Sequence, residues 1–135
     1  MRAHYANLYV HLVWATWDRR PLIADEWEGQ LYAAIQQAAG HVGSEVVAIG
    51  GVADHVHVLA TLPTTLAVAD LVKQIKGSSS HFVTHEIGVR AFRWQGSYAG
   101  FSVSEEVTPA VRRYIGRQRE HHAAGDINSA LELPD

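Results

Sequence analysis

The order in which strand-like and helix-like segments follow one another constrains the fold more than any other feature of this sequence. Alternating apolar residues from Leu8 to Trp14 predict a strand, because successive strand side chains point to opposite faces. Apolar residues at helical spacing follow Asp25, a suitable N-cap, and stop near Gly40 to Gly43. The later segments are a strand at 45–49, a turn at Gly50-Gly51, a strand at 54–62, a helix from about 66 towards 81 or beyond, a strand around 92–104, and a last helix that starts after Thr108-Pro109 and reaches 121 or 122.

This order of elements predicts an α+β fold. Strand, helix, strand, strand, helix, strand is the split βαβ or ferredoxin-like arrangement, in which two helices cover one face of an antiparallel sheet. The extra C-terminal helix, which carries Tyr114, is not needed to cover that face. We therefore expect this helix to be free to swing outwards, and the second sheet face to be open and to carry the function.

Length and composition indicate one domain with one core. The chain has 135 residues, 47% of them hydrophobic, and we expect the domain to span residues 1–124 and a loosely ordered tail to span 125–135. Cysteine is absent, which excludes a disulfide scaffold, a thiolate zinc site and a cysteine nucleophile. Because no signal-like or membrane-length apolar run occurs, we expect a cytoplasmic protein without membrane contact.

Two of the nine histidines lie close together in a predicted strand. His55 and His57 are two residues apart, so their imidazoles project from the same sheet face and can hold one cation between them. A His-x-His pair taken alone is more often a solvated or hydrogen-bonded pair. The motif therefore depends on its neighbours for a functional interpretation.

The last predicted helix supplies such neighbours. Tyr114 and Gln118 are four residues apart and share a helical face. A tyrosine, with an ordinary pKa of about 10, is a poor nucleophile near pH 7 unless a cation or base stabilises its phenolate. Gln118 can add an amide oxygen to the two histidine nitrogens, which leaves other positions on a hard divalent ion for phosphate oxygens and water. A packed core tyrosine and a solvated glutamine are the competing interpretation.

Basic residues are candidates for contacts with nucleic acid, although the formal net charge of −3 at pH 7 means that any such site must be a local patch. Guanidinium groups cluster where phosphates are bound, and a solvated cationic helix face is the alternative. The candidates near Tyr114 are Arg113 and Arg117, and further candidates are Arg19, Arg20, Lys73 and Lys76. Trp94 and Tyr98 could stack on unpaired bases, whereas Phe101 is expected in the core.

Several ordered blocks of this sequence resemble the single-tyrosine HUH transposases of single-strand insertion sequences and their REP-associated relatives. The resemblance spans most of the chain. The blocks are Tyr9–Pro21, Asp54–Leu59, Leu71–Ser79, Trp94-Gln95, Phe101–Ser104, Tyr114–Gln118 and Glu120–His122.

The resemblance implies a ferredoxin-like catalytic domain with a magnesium or manganese ion, acting as a homodimer on hairpin-bearing single-stranded DNA. Residue by residue, it implies that His55 and His57 bind the metal, that Gln118 is the third protein ligand and that Tyr114 is the nucleophile. In the resembled family the tyrosine forms a 5′-phosphotyrosine and releases a 3′-hydroxyl that can later reseal, and the resemblance implies the same reaction here. In the resembled family each active site is shared, so we predict that Tyr114 of one subunit serves the histidine pair of the other, an arrangement within one chain being the alternative.

The glycines of segment 95–101 are placed differently from the family pattern, which bears on recognition of DNA ends. Two alternatives to a strand transferase stay open at this point. One is a domesticated or inactive protein that binds single-stranded nucleic acid on the same fold. The other is a metal-dependent hydrolase in which water attacks and Tyr114 is structural.

Overall fold

Seven helices and strands follow one another in the computed structural model, which describes residues 6–118. They are β1 (Tyr9–Ala15), α1 (Glu28–His41), β2 (Val46–Val52), β3 (His55–Thr61), α2 (Val68–Phe82), β4 (Ala99–Val103) and α3 (Thr108–Gly116). Short 3₁₀ turns at Trp17–Arg19 and Glu105–Val107 precede α1 and α3, and a π-helical turn at Val83–Ile87 continues α2. Every helix within the described residues is too short or too polar to cross a lipid bilayer.

The four strands form one antiparallel sheet in the order β2-β3-β1-β4. This is the strand order of the split βαβ arrangement, in which the first and third strands are central. The predicted ferredoxin-like α+β fold is therefore confirmed. The register pairs Ala15 at the end of β1 with His55 at the start of β3, so the chain leaves β1 beside the histidine motif.

One face of the sheet carries the main core. Val56 and Val58 of β3 and Leu12 of β1 are fully buried there, together with Leu31 of α1 and Leu71 of α2. The buried positions of α1 recur at helical spacing, because one stripe of an amphipathic helix packs on a sheet while the rest stays in water. Helices α1 and α2 thus cover a single face, as the element order predicts.

The opposite face carries the histidine motif and is covered by α3. Leu59 of β3 packs there with Val111 and Ile115 of α3, and all three side chains are buried. The expectation of an open second face with a free C-terminal helix was therefore wrong for the chain as described. The cause is the apolar side of α3, because burying this surface against Leu59 is more favourable in free energy than leaving it in water.

Gly50 and Gly51 do not form the turn that their sequence predicts. Strand β2 continues through both residues, and the turn lies at Ala53-Asp54. A Cβ at Gly50 would collide with the carbonyl oxygen of Ile115, and a Cβ at Gly51 would collide with that of His55. These glycines permit close backbone approach, which is the other common reason for glycine in a strand.

Other boundaries also differ from the sequence expectations. Helix α1 begins at Glu28 without a side-chain cap from Asp25, because the N-cap residue is Trp27, and α2 begins at Val68 after Ala67. Strand β4 occupies only the second half of the predicted strand, and α3 spans Thr108–Gly116. His121 and His122, where the sequence places the end of the last helix, lie outside the described residues. The C-terminal parts of the expected domain and the expected tail at 125–135 lie outside the described residues.

Candidate active site

The two histidines of the His-x-His motif lie side by side on the face that α3 covers. Both are buried, with 3% of His55 and none of His57 exposed, and their ring centroids are 5.2 Å apart. The alternative of a solvated pair therefore does not describe them. Burial of two imidazoles requires polar partners, which both residues have.

Each histidine uses its Nδ1 atom in a short hydrogen bond. Nδ1 of His55 lies 2.7 Å from the Oδ1 atom of Asp54, and Nδ1 of His57 lies 2.9 Å from Nε2 of His11. A carboxylate accepts only, so His55 donates from Nδ1, and its Nε2 then carries the lone pair. If His57 is in the same tautomer, its Nδ1–H donates to Nε2 of His11. In that state both rings offer Nε2 to a cation, as metal-binding histidines do when their other nitrogen is anchored.

Tyr114 lies next to this pair. The centroid of its ring is 6.0 Å from that of His57, in an edge-to-face arrangement, and 9% of the residue is exposed. Helix α3 carries the tyrosine, and Val111 and Ile115 anchor the helix on Leu59. The structure thus brings Tyr114 to the histidine pair of its own chain.

Gln118 completes the set of four predicted residues. It lies two residues beyond the end of α3, is 2% exposed, and donates from Nε2 to the carbonyl oxygen of Tyr114 at 3.4 Å. With the amide nitrogen used in this way, Oε1 is the atom suited to a cation. The side chain also borders a cavity of about 330 Å³, which Arg117, Gly50 and Gly51 help to line.

The donor set fits a divalent cation. Two imidazole nitrogens and one amide oxygen are neutral ligands that leave room for anionic phosphate oxygens. Within residues 6–118 no group of three His, Cys, Asp or Glu side chains could hold a metal. A metal centre of the described part of the chain would therefore be completed by other donors, such as the amide oxygen of Gln118, water or the substrate.

The predicted phosphate-binding residues divide into two groups. Arg113 and Arg117 are exposed on and just after α3, and Arg19 and Arg20 are exposed in the turn that follows β1 at the His55 end. By contrast, Lys73 and Lys76 lie on α2, which covers the sheet face opposite the histidines. The four arginines are thus exposed on elements that adjoin the face with the histidines, whereas the two lysines lie on the helix that covers the opposite face.

Lys76 has a different environment from the other basic candidates. Its Nζ atom donates to the carbonyl oxygens of Gln95 and, at 3.3 Å, of Ser97. Burial lowers the pKa of Lys76 below its ordinary value of 10.5. Its ammonium group holds the loop that precedes β4.

Sequence reasoning missed the role of two residues and left two aromatic residues open. His11 is fully buried and contacts His57 across the sheet, and Asp54 bonds to His55 from within the same motif. A signal for Asp54 was its adjacency to His55, whereas nothing in the sequence links His11 to a partner 46 residues away. Trp94 is a core residue that donates to Ser79 at 3.0 Å, and Tyr98 is exposed.

A ferredoxin-like sheet that presents a buried His-x-His pair to a tyrosine on a following helix defines the class of single-tyrosine transposases. The chain belongs to the IS200-like transposase family. The sequence model of that family, described as "Transposase IS200 like", matches residues 4–118.

Individual relatives agree with this assignment. The chain is similar to the ISDra2 transposase TnpA of Deinococcus radiodurans, with 28% identity over 125 residues that cover 88% of this chain and 89% of the relative. A 1.90 Å crystal structure from Deinococcus radiodurans R1, provisionally described as a transposase, is 29% identical and superposes with a TM-score of 0.68, covering 87% of this chain and 95% of the other.

A third similarity concerns the fold alone. A REP-associated tyrosine transposase bound to a REP hairpin superposes with a TM-score of 0.65 at 18% identity, covering 94% of this chain and 74% of that one.

Proposed function

We propose that this transposase-family chain cleaves and rejoins single-stranded DNA through a covalent link to Tyr114. The observation that carries the proposal is the position of Tyr114 beside His57, with Gln118 four residues further on. A tyrosine with only a packing role would not need two anchored histidines and a buried amide around it. The same neighbours are suited to a reaction at a phosphodiester.

The proposed reaction exchanges one ester for another. The phenol oxygen of Tyr114 loses its proton to solvent and attacks the phosphorus atom of a phosphodiester. The bond from phosphorus to the 3′ oxygen breaks, and that oxygen takes up a proton to leave as a 3′-hydroxyl. The product is a 5′-phosphotyrosine, and attack by a 3′-hydroxyl reverses the step and seals a strand. No nucleotide cofactor is required, because the ester bond is conserved in the covalent link.

A magnesium or manganese ion fits this chemistry, and His55, His57 and Gln118 would hold it. When bound, such an ion supplies positive charge that favours both the phenolate and the developing charge on the phosphate. The protein's own contribution is orientation. Asp54 and His11 fix the rings of His55 and His57 through hydrogen bonds of 2.7 and 2.9 Å to their Nδ1 atoms.

The proposed substrate is a single strand that bears a hairpin near the cleaved bond. The similar REP-associated transposase is bound to a REP hairpin, which supports the same class of ligand here. Arg113 and Arg117 on one side, and Arg19 and Arg20 on the other, are exposed and can contact its phosphates. Since none of these contacts reads a base, they would position the strand without selecting its sequence.

The proposed assembly is a homodimer. Within residues 6–118 strand β4 pairs only with β1, so one of its edges has no partner in that part of the chain, and a twofold partner is a common means of covering such an edge. Within the described chain Tyr114 lies beside His57 of the same chain. The predicted shared site would arise if α3 and the turn at Glu105–Val107 exchanged between subunits and made the same contacts on the partner.

The proposal is tested by incubating the protein with a library of end-labelled hairpin oligonucleotides and magnesium or manganese. We expect a labelled protein band that survives denaturation, and its loss when a chelator is added. Release of free cleaved DNA without a covalent band would instead indicate a hydrolase that uses water. Binding without cleavage across the library would indicate a regulatory module.

A further inference from the structure

The turn that follows β1 begins beside the candidate active site. The backbone N–H of Thr16 donates to the carbonyl oxygen of Asp54 at 2.9 Å, and the carboxylate of Asp54 bonds to His55 at 2.7 Å. Ala15 is paired with His55 in the sheet. A strand of nucleic acid that enters the site at this end of the sheet would therefore pass over residues 16–20.

The backbone of this turn has an unusual shape that the core does not require. Asp18 and Arg19 have φ angles of 54° and 50°, in the left-handed region that residues with a side chain rarely adopt. Residues 17–20 are all exposed. Strained backbone that buries nothing is common at binding sites, where the surroundings hold a shape that the chain alone would avoid.

Several hydrogen bonds hold the turn in this shape, and three of them involve a side chain or a distant segment. The Thr16 hydroxyl donates to the carbonyl oxygen of Arg20 at 2.6 Å. The backbone N–H of Trp17 donates to the carbonyl oxygen of Arg93 at 2.8 Å, and the N–H of Asp18 donates to Oε1 of Gln95 at 3.1 Å. The turn is thus fixed to the segment around residues 93–95, and it presents its side chains in a defined arrangement.

This arrangement exposes a stacked pair of flat groups. The guanidinium carbon of Arg93 lies 3.9 Å from the centroid of the Trp17 ring, while 41% of Trp17 remains exposed. Guanidinium and indole planes each stack on nucleobases, and a stacked Arg–Trp pair loses little conformational freedom on binding a third plane. Arg19 and Arg20 add two positive charges beside it, against the single negative charge of Asp18.

We propose that the Trp17–Arg93 pair is a stacking subsite for an unpaired base of single-stranded DNA, next to the phosphate at which Tyr114 reacts. This subsite rests on the proposed function, because it takes the same strand as its ligand. Arg19 and Arg20 contact the phosphates that flank the stacked base. A base on this platform fixes the register of the strand relative to His55 and Tyr114 without requiring base-specific hydrogen bonds.

The test measures binding apart from chemistry, with metal-free protein and a short fluorescein-labelled single-stranded oligonucleotide of mixed sequence. Trp17→Leu is expected to weaken binding about tenfold or more, which is the loss of one base–aromatic stack, whereas Trp17→Phe keeps most of the affinity. Leu8→Ala is the control, because Leu8 is also an exposed apolar residue, at 46%, and lies outside the turn. It should bind as the wild type does.

Two further variants separate stacking from charge. Arg93→Lys keeps the charge but loses the planar group, so it should weaken binding while leaving the salt dependence unchanged. Arg20→Gln should lower the slope of log affinity against log salt by about 0.7, the value for one phosphate contact on a single strand. The tryptophan fluorescence of the wild type should fall on titration with unlabelled oligonucleotide, and Trp17→Phe should remove most of that change.

Equal affinity of Trp17→Leu and wild-type protein, with the same fluorescence change, would overturn the subsite. A change in the oligomeric state of Trp17→Leu, measured by sedimentation, without a change in DNA affinity would also overturn the subsite. That result would assign the Trp17–Arg93 pair to a protein interface. None of these titrations requires cleavage of the DNA. Absence of a Tyr114 adduct would therefore count against the proposed reaction, whereas the binding titrations would still test the subsite.

Discussion

Nε2 of His11 lies 2.9 Å from Nδ1 of His57, and both side chains are fully buried between the sheet and its neighbours. One proton lies between these two nitrogen atoms. When it belongs to His57, the lone pair of that ring is on Nε2, which is the nitrogen through which the ring would bind a cation. The hydrogen bond between His11 of β1 and His57 of β3 therefore affects the chemistry of the site as well as the packing of the sheet.

The first prediction concerns this bond. His11→Leu should weaken Mn²⁺ binding about 10- to 100-fold, because the ring of His57 loses the partner that fixes its tautomer and orientation. His11→Gln, which keeps a polar atom near the position of Nε2, should retain more of the affinity. Isothermal titration calorimetry measures both. Nitrogen chemical shifts of the metal-free wild type should show His57 protonated on Nδ1, and equal Mn²⁺ affinity in His11→Leu would contradict the assignment.

The second prediction concerns the contact between α3 and β2. Gly50→Ala should destabilise the fold by about 1–3 kcal/mol and reduce any reaction of Tyr114, because the new methyl group meets the carbonyl oxygen of Ile115 and pushes α3 away. Urea denaturation measures the change.

Gly77→Ala is the matched control for that substitution. Gly77 lies inside α2 with no atom within 4 Å of an added Cβ, so alanine there should stabilise the protein by about 0.5–1 kcal/mol. If Gly50→Ala were as stable and as active as Gly77→Ala, the close approach of α3 would not be required.

The third prediction separates the two lysines of α2. Lys76→Met should lower stability by about 1–2 kcal/mol, because the carbonyl oxygens of Gln95 and Ser97 lose a charged donor, whereas Lys73→Met should change it little. Thermal unfolding and limited proteolysis of the loop before β4 would report the difference. A weaker salt dependence of DNA binding in Lys76→Met, with stability unchanged, would favour the earlier interpretation of Lys76 as a phosphate contact.

The histidine pair illustrates what the sequence could predict. The period-two pattern of Asp54–Leu59 places His55 and His57 on one face and the valines on the other, and the structure has this arrangement. Local periodicity was sufficient because the direction of a strand side chain depends only on its own strand. The resemblance then linked this strand to Tyr114, which no local pattern could do.

The glycines and His11 illustrate what the sequence could not predict. Gly50-Gly51 is a good turn signal, yet both residues lie in β2, where the carbonyl oxygen of Ile115 approaches Gly50 too closely for a side chain. His11 looks like any histidine in a buried strand until β1 and β3 are placed side by side. In both cases the deciding partner is distant in sequence, so only the tertiary structure shows it.

The fourth prediction concerns sharing of the active site between subunits. If α3 exchanges in a dimer, inactive Tyr114→Phe protein mixed with inactive His57→Ala protein should regain cleavage, because one site of each mixed dimer has both intact residues. Mass spectrometry of differently labelled subunits controls for exchange. A mixture that exchanges subunits and remains inactive would assign each Tyr114 to the histidines of its own chain, as in the described structure.

The proposed reaction depends on covalent attachment of the Tyr114 oxygen to DNA. Peptide mass spectrometry detects this attachment after reaction with a hairpin oligonucleotide and Mn²⁺, in wild-type and Tyr114→Phe protein at equal DNA occupancy. We expect a nucleotide phosphate on the peptide that contains Tyr114 in the wild type, and its absence in Tyr114→Phe, which loses only the nucleophilic oxygen. An adduct of equal yield in Tyr114→Phe, or attachment at another residue of the wild type, would contradict it.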